Sequence, residues 1–272
     1  MITNKKVAVK KIFDQLGREV EVPFPPKRII SLVPSQTELL FDLGLDQEIV
    51  GITKFCIHPE DIFKVKKVGG TKNLNLDRIK ILNPDLIIAN KEENDEQQIK
   101  LLMQQYPVWI SDIKSLEDAY QMIGIVGEMV NRKETAAALI NDIKHEFRKI
   151  SYLKKKTLVN TPTAGYLIWR NPYITVGNGT FINSMLELAG FTNVFIDRPR
   201  YPEITLKELI ERSPQYLLLS SEPFPFKEKH MKELQALLPA AKILLVDGEM
   251  FSWYGSRLLK APAYFSSINI DH

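Results

Sequence analysis

The sequence is short of the residues that build covalent or metallic scaffolds. Its single cysteine, Cys56, excludes an intramolecular disulfide and leaves the redox compartment open. Four histidines are present (His58, His145, His230 and His272), and only His58 lies near the cysteine, in KFCIHP. Two ligands do not make a metal site, so a loop thiol beside a loop imidazole is expected there, with no metal. There is no GxSxG elbow and no glycine-lysine phosphate loop. No stretch approaches the roughly 20 apolar residues that cross a bilayer. The opening MITNKKVAVKKIFDQLG is basic but lacks the apolar centre of a secretory signal, and Cys56 is too deep to carry a lipid anchor. On these grounds the chain reads as cytoplasmic, or as one whose leader has been removed, and the initial Met favours the former. Charge of one sign is also lacking. The 36 Lys+Arg against 33 Asp+Glu leave +3, scattered rather than blocked, which argues against nucleic acid as a partner.

What is present is an ordinary globular composition, 44% hydrophobic and 25% charged over 272 residues, enough for two cores. Short β-branched runs at 28–33, 49–53, 86–89 and 108–111 alternate with helical patterns, which predicts parallel α/β organisation. After the first run, PSQTELLFDLGL predicts a helix with Ser35 as N-cap, Glu38 reaching back to it and Gly44 as the stop. Ser115 with Asp118 opens another. From Arg132 to Ile150 no Pro or Gly intervenes, and Ala136, Leu139, Ile140, Ile143, Phe147 and Ile150 form one apolar stripe. Beyond it, 166–169, 173–176 and 243–246 read as strands, and Thr180 caps a helix that ends at Gly190.

The segments LDRIKILNPDLIIAN (76–90) and LKELIERSPQYLLLS (206–220) share one plan of short helix, Pro-marked turn and buried strand. Leu76 matches Leu206 and Pro84 matches Pro214 at a constant offset of 130 positions. Duplication predicts two lobes. The expected division is an N-terminal extension with short strands over 1–27, a first lobe over 28–130, a linking helix over 131–152 and a second lobe over 153–272.

GNGTFI (177–182) follows a strand and opens a helix, as a dinucleotide-binding turn does. Its sixth position is Ile182 and no acidic partner stands about 20 residues on, so a tight turn, or N–H groups facing a polar ligand group, are the competing readings. The paired Glu92 and Glu93 read as a solvated loop. Aromatic and basic residues gather after strands: Lys54, Phe55, Lys72 and Lys91 in the first half; Trp169, Arg170, Arg198, Arg200, Tyr201 and the SWYGSR run (252–257) in the second. Ligands of open α/β sheets bind beyond the carboxyl ends of the strands, so these positions are expected to line a cleft.

RIISLVPSQTELLFDLG, VGITKFCIHP, VGGTKNLNLDRIKILNPDLIIA and YITVGNGTFINSMLELAGFTNVF, in this order and spacing, resemble the helical-backbone metal receptors. These are substrate-binding proteins of ABC importers for cobalamin, ferric siderophores and haem. The resemblance runs from about Pro26 to Leu258 and is strongest to the cobalamin-binding members. It implies two Rossmann-like lobes with parallel sheets joined by a single long backbone helix, the class III periplasmic-binding-protein arrangement. It implies a non-enzymatic monomer that reversibly holds a metal chelate (a corrinoid, ferric siderophore or haem) between its lobes, with no covalently bound cofactor. The matching ligand positions are Pro34, Ser35, Lys54, Phe55, Gly70, Thr71, Lys72 and Lys91 in the first lobe. In the second they are Trp169, Arg170, Gly179, Thr180, Arg200, Tyr201, Trp253, Tyr254 and Arg257. It further implies a cell-envelope location and an acidic residue on each lobe that docks onto permease arginines. Asp77 matches the first; the second position holds Lys207, with Glu203 and Glu208 nearby, and Glu208 is expected to serve. The alternatives are a cytoplasmic carrier of a tetrapyrrole or metal compound on the same scaffold and, in another class, a nucleotide-using enzyme built on the GNG turn.

Overall fold

A computed structural model describes residues 8–157 and 161–268. The chain forms two compact units. The first takes the chain up to Ile113, then Glu117–Ile143 and, from far along the sequence, Tyr254–Arg257; the second takes Lys114–Leu116, Lys144–Trp253 and the chain from Leu258.

In the first unit, strands β1 (Val9–Phe13) and β2 (Glu19–Pro23) form an antiparallel hairpin. The main sheet comprises β3 (Ile29–Ser31), β4 (Ile49–Ile52), β5 (Lys66–Lys67), β6 (Leu86–Asn90) and β7 (Val108–Ser111), in the order β5-β4-β3-β6-β7. Every pairing in it is parallel, and β3, β6 and β7 are buried on both faces. That is why they read as continuous apolar runs with no alternation. Helices α1 (Pro34–Asp42), α2 (Leu76–Leu82), α3 (Glu96–Met103) and α4 (Leu116–Met129) accompany it. One core cluster packs Ile79 of α2 and Ile99 and Leu102 of α3 on Ile30, Ile87, Val108 and Ile110 of the sheet.

The long helix α5 (Lys133–Thr157) starts two residues after the start expected for the linking helix (131–152) and extends beyond its expected end. Ala136, Ile143, Phe147 and Ile150 of its apolar stripe are buried. The boundary between the units falls inside it, after Ile143.

The second unit carries β8 (Thr163–Trp169), β9 (Tyr173–Thr175), β10 (Thr192–Asn193), β11 (Glu203–Ile204), β12 (Tyr216–Ser220) and β13 (Lys242–Val246). Its helices are α6 (Phe181–Leu188), α7 (Leu206–Arg212), α8 (Glu228–Leu237), α9 (Glu249–Ser252) and α10 (Ala261–Ser267). The sheet runs β11-β9-β8-β12-β13, with β10 beside the start of β8. The β8–β12, β12–β13 and β8–β10 pairings are parallel, whereas β9 pairs antiparallel with β8 and β11 antiparallel with β9. A parallel crossover needs a dozen or more residues; the short Arg170–Pro172 link between β8 and β9 permits only a hairpin.

The internal repeat holds in backbone detail. Helices α2 and α7 keep the 130-position offset at both ends, as do β6 and β12. Asn75 and Thr205 cap the two helices by accepting from Arg78 N–H and Glu208 N–H. Asn83 and Ser213 close them in the left-handed conformation, each at φ 42°. Neither closing residue is glycine; the left-handed end satisfies the last carbonyls before Pro84 and Pro214 forbid further helix.

The start of α1 differs from expectation. Val33 is the N-cap and Pro34 occupies the first turn. Proline has no N–H to satisfy there and its fixed φ is already helical, so the helix begins two residues early and Ser35 lies inside it. The Ser35 hydroxyl is buried without a hydrogen-bond partner, and Glu38 turns instead to Arg257.

Candidate functional site

In a parallel sheet the carboxyl ends of the strands share one edge, and the loops that leave it carry the chemistry. In the first unit, Pro34 and Ser35 follow β3, Lys54 and Phe55 follow β4, Gly70–Lys72 follow β5 and Lys91 follows β6. Three of these come together. A Cβ at Gly70 would lie 3.2 Å from the Phe55 ring and 3.4 Å from Lys54 Cε, so Gly70 sits beneath both side chains. Lys54 Nζ lies 5.0 Å from the centre of the Phe55 ring, a cation–π contact, and Phe55 keeps half of its surface exposed.

The other two first-unit lysines are committed. Lys72 Nζ donates to the carbonyls of Glu92 (2.5 Å) and Asn94 (3.2 Å), and Lys91 pairs with Asp112 at 2.7 Å. Thr71 contributes its carbonyl, which accepts from Asn94 Nδ2.

Beneath these loops lies a buried polar network that sequence reasoning missed. Asn90 Nδ2 and Gln36 Nε2 both donate to Ser111 Oγ. Asn90 Oδ1 accepts from the N–H groups of Glu92 and Glu93, and Asn94 Oδ1 accepts from Asn90 N–H. Asn94 Nδ2 also reaches the Leu32 carbonyl. The network ties the ends of β3, β6 and β7 together and fixes the loops above them. Its signal was available: Asn90 and Ser111 are polar residues closing otherwise apolar strands.

Tyr254 and Arg257, expected to meet ligand, are engaged elsewhere within this unit. Tyr254 donates its hydroxyl to Glu93. Arg257 grips the Glu38 carboxylate through Nε (3.0 Å) and Nη2 (2.7 Å), both side chains about nine-tenths buried. Ser256 donates to Asp42, and a Cβ at Gly255 would come within 2.5 Å of the Ser35 carbonyl oxygen, so only glycine allows this close approach to α1. Arg257 is thus held as the buried partner of Glu38.

Cys56 is buried between the hydroxyls of Thr37 and Thr53, each 3.2 Å from its sulfur. Burial pushes the thiol above its ordinary range, and the two hydroxyls only partly offset this. Among the described residues no group of three or more His, Cys, Asp or Glu could hold a metal ion.

In the second unit, Trp169 ends β8 with 39% of its surface exposed, its ring edge-on to Phe224 at 5.8 Å. Arg170 pairs with Glu233. Gly179, at φ +73°, precedes Thr180, whose hydroxyl accepts from Asn183 N–H to cap α6. Lys114, Gly179, Arg198 and Arg200 help to line a hollow of about 400 Å³. Arg200 is exposed and Tyr201 half-buried.

Trp253, by contrast with Trp169, is buried. It is 6% exposed, and its indole N–H donates to Glu222 Oε1 at 3.0 Å. Burial pushes the Glu222 carboxyl above the usual range; the Ser252 hydroxyl bonded to it at 2.6 Å opposes this, and the nearby Glu249 and Asp247 reinforce it.

The first two N–H groups of the GNG turn are taken up by the chain's own backbone. Gly177 N–H donates to the Arg200 carbonyl and Asn178 N–H to the Arg198 carbonyl, both at 2.7 Å. A Cβ at Gly177 would stand 2.1 Å from the Arg198 oxygen, so this glycine serves close packing against the chain's own backbone.

Of the two docking candidates, Asp77 is exposed in the first turn of α2. Glu208 is not the open carboxylate expected. It pairs with Arg198 at 2.6 Å and approaches Arg212 at 3.8 Å, whereas Lys207 is 85% exposed and stands 3.8 Å from Glu211.

Known proteins resemble this chain in sequence and fold. A family described as periplasmic binding protein matches residues 29–242. An ABC-transporter substrate-binding lipoprotein of Bacillus subtilis is 26% identical over 259 residues, covering 92% of this chain and 82% of its own. A vitamin B12-binding protein of Pectobacterium carotovorum is 24% identical over 244 residues, covering 89% and 88%. Among solved structures, the periplasmic vitamin B12-binding protein of Vibrio cholerae superposes with a TM-score of 0.76 at 22% identity, over 90% of this chain and 98% of that one. The periplasmic haem-binding protein of Roseiflexus gives 0.75 at 21%, over 88% and 97%. Those likenesses fix the fold: two Rossmann-like lobes joined by one long helix. With the matched stretch running from β3 to the start of β13, the chain belongs to the periplasmic binding protein family, and it is a solute-binding protein.

Proposed function

We propose that this protein reversibly binds a metal chelate (a corrinoid, a haem or a ferric siderophore) and delivers it to an ABC importer without altering it. The observation that carries this is the pair of half-open aromatic surfaces at strand carboxyl ends, Phe55 with Lys54 in the first unit and Trp169 in the second. Flat or caged chelates bind by burying such rings, and the cation beside Phe55 suits a polar periphery. Names borne by relatives, vitamin B12-binding and haem-binding, support the same ligand class.

Pro34, Ser35, Lys54, Phe55, Gly70, Thr71, Lys72 and Lys91 are the proposed ligand face of the first unit. Trp169, Arg170, Gly179, Thr180, Arg200, Tyr201 and Trp253 are that of the second. Tyr254 and Arg257 support the first face from below. Hydroxocobalamin, haemin and a ferric hydroxamate, titrated against tryptophan emission, test the reading; saturable binding with recovery of unchanged ligand supports it.

The proposed partner is a permease. Asp77 supplies one docking carboxylate. Because Glu208 is held between Arg198 and Arg212, the exposed Glu203 on β11 is the better second candidate.

A further inference from the structure

Glu222, just past the carboxyl end of β12, is held through both its side chain and its backbone. Its Oε1 accepts from both the Ser252 hydroxyl and the Trp253 indole, and Oε2 receives neither donor. Its backbone is fixed as well: Ser220 Oγ donates to the Glu222 carbonyl at 2.6 Å and accepts from its N–H at 3.3 Å. Gly248 closes on the side chain, since a Cβ there would meet Glu222 Cγ at 2.6 Å.

The charged and titratable groups around it are Asp247, beyond β13, Glu249 at the start of α9, Tyr166 on β8 and Tyr264 on α10. Asp247 and Glu249 are acidic, and neither phenol is a cation. Among the described residues no lysine or arginine forms an ion pair with Glu222. Cations elsewhere in the unit are matched to other acids, Arg170 to Glu233 and Arg198 to Glu208. The result, among the described residues, is a fixed, half-buried carboxylate without a counterion, whose side-chain partners are two neutral donors.

Such a group gains a charge-assisted hydrogen bond from any donor that reaches Oε2 and repels any anion that does. We propose that Glu222 selects the solute by charge, accepting a hydrogen bond from a neutral or cationic donor on the chelate and excluding chelates that present carboxylates there. This rests on the solute-binding reading above, with Trp253 on the ligand face of its unit, and it narrows that reading. A macrocycle rimmed with carboxamides satisfies Oε2; one rimmed with carboxylates meets Glu222 backed by Asp247 and Glu249.

The test compares cyanocobalamin, whose periphery carries carboxamides, with haemin, whose periphery carries two carboxylates. Both are titrated calorimetrically at roughly pH 8, where a glutamate with a raised pKa is still ionised, into the full-length protein and into Glu222→Gln. Wild type is expected to favour cyanocobalamin by about tenfold or more, a difference of about 1.4 kcal/mol. Glu222→Gln keeps an acceptor for Ser252 and Trp253 but loses the charge, and it is expected to bind haemin about fivefold or more tighter than wild type does, a gain of about 1 kcal/mol. Equal haemin affinity in the two proteins, or weaker haemin binding by the variant, overturns the proposal.

If neither probe binds either protein, the corrinoid and haem arms of the chelate reading fall, and the ligand-free indole spectrum then decides the status of Glu222. A Trp253 indole N–H resonance, assigned with Trp253→Phe, that titrates above the ordinary glutamate range in wild type and not in Glu222→Gln supports a charge fixed against Trp253. A resonance that is insensitive to pH in both overturns it.

Discussion

Arg257 and Glu38, 219 positions apart in sequence, form a two-point ion pair inside the first unit, Nε to Oε2 at 3.0 Å and Nη2 to Oε1 at 2.7 Å. Removing the arginine alone leaves a buried carboxylate with its main partner gone. Arg257→Met is expected to cost about 3–5 kcal/mol, because the uncompensated charge costs more than the pair contributes. The double replacement Glu38→Leu with Arg257→Met is expected to recover most of the loss. Urea denaturation of both variants checks this; a double variant no more stable than the single would contradict it.

Glu222 ties stability to pH. Its folded pKa is raised above the unfolded value of about 4.3, so the native state holds the proton more tightly. The burial penalty on the charge is fully present above the folded pKa and disappears as pH falls through it towards the unfolded value. Glu222→Gln is therefore expected to melt above wild type at roughly pH 8, with the difference closing below roughly pH 4. Calorimetric melting temperatures across that range measure it, and a constant difference would show that Glu222 does not titrate as described.

Trp169 offers the most open indole of the second unit's proposed ligand face. Trp169→Ala is expected to weaken chelate binding by about 1–3 kcal/mol, the loss that follows removal of a buried aromatic contact. The exposed ring supports little of the core, so the melting temperature should hardly move. Unchanged affinity would remove Trp169 from the site.

Docking is read out with the cognate permease in detergent or nanodiscs. Asp77→Ala and Glu203→Ala are each expected to weaken association by about 1 kcal/mol or more, as loss of a rim charge facing an arginine does. Lys207→Glu should strengthen it. Glu208→Ala should act mainly on stability, since it frees Arg198. Unaltered association in all four variants would show that α2, β11 and α7 do not form the docking face.

Much of the architecture was readable because it rests on local chemistry. The α2–α7 repeat announces itself through capping residues and the prolines that follow each helix, and α5 through an unbroken apolar stripe. The start of α1 was misread because Ser35 and Glu38 satisfy a capping-box spacing while Pro34, one residue earlier, sets the first turn. The antiparallel β9 could have been foreseen from the few residues separating it from β8, too few for a crossover.

The candidate site was less legible. Phe55, Gly70 and Lys54 meet as their strand-end placement suggested. Arg257, also near a strand end, carries no local mark to separate an ion pair with Glu38 from a ligand contact. Glu222 sits in a polar SSEP turn that resembles solvated loop, and only the fold brings Ser252 and Trp253 onto its carboxylate. Long-range pairing decides both roles, and sequence periodicity does not report it.

The central claim, reversible binding of a metal chelate, is tested most directly by isothermal titration of the full-length protein with hydroxocobalamin, haemin and a ferric hydroxamate. Saturable 1:1 binding of at least one, with a Kd in the micromolar range or tighter, about −8 kcal/mol or better, and the ligand recovered chemically unchanged, is the expected result. Absence of saturable binding for all three, or recovery of a modified ligand, would contradict it.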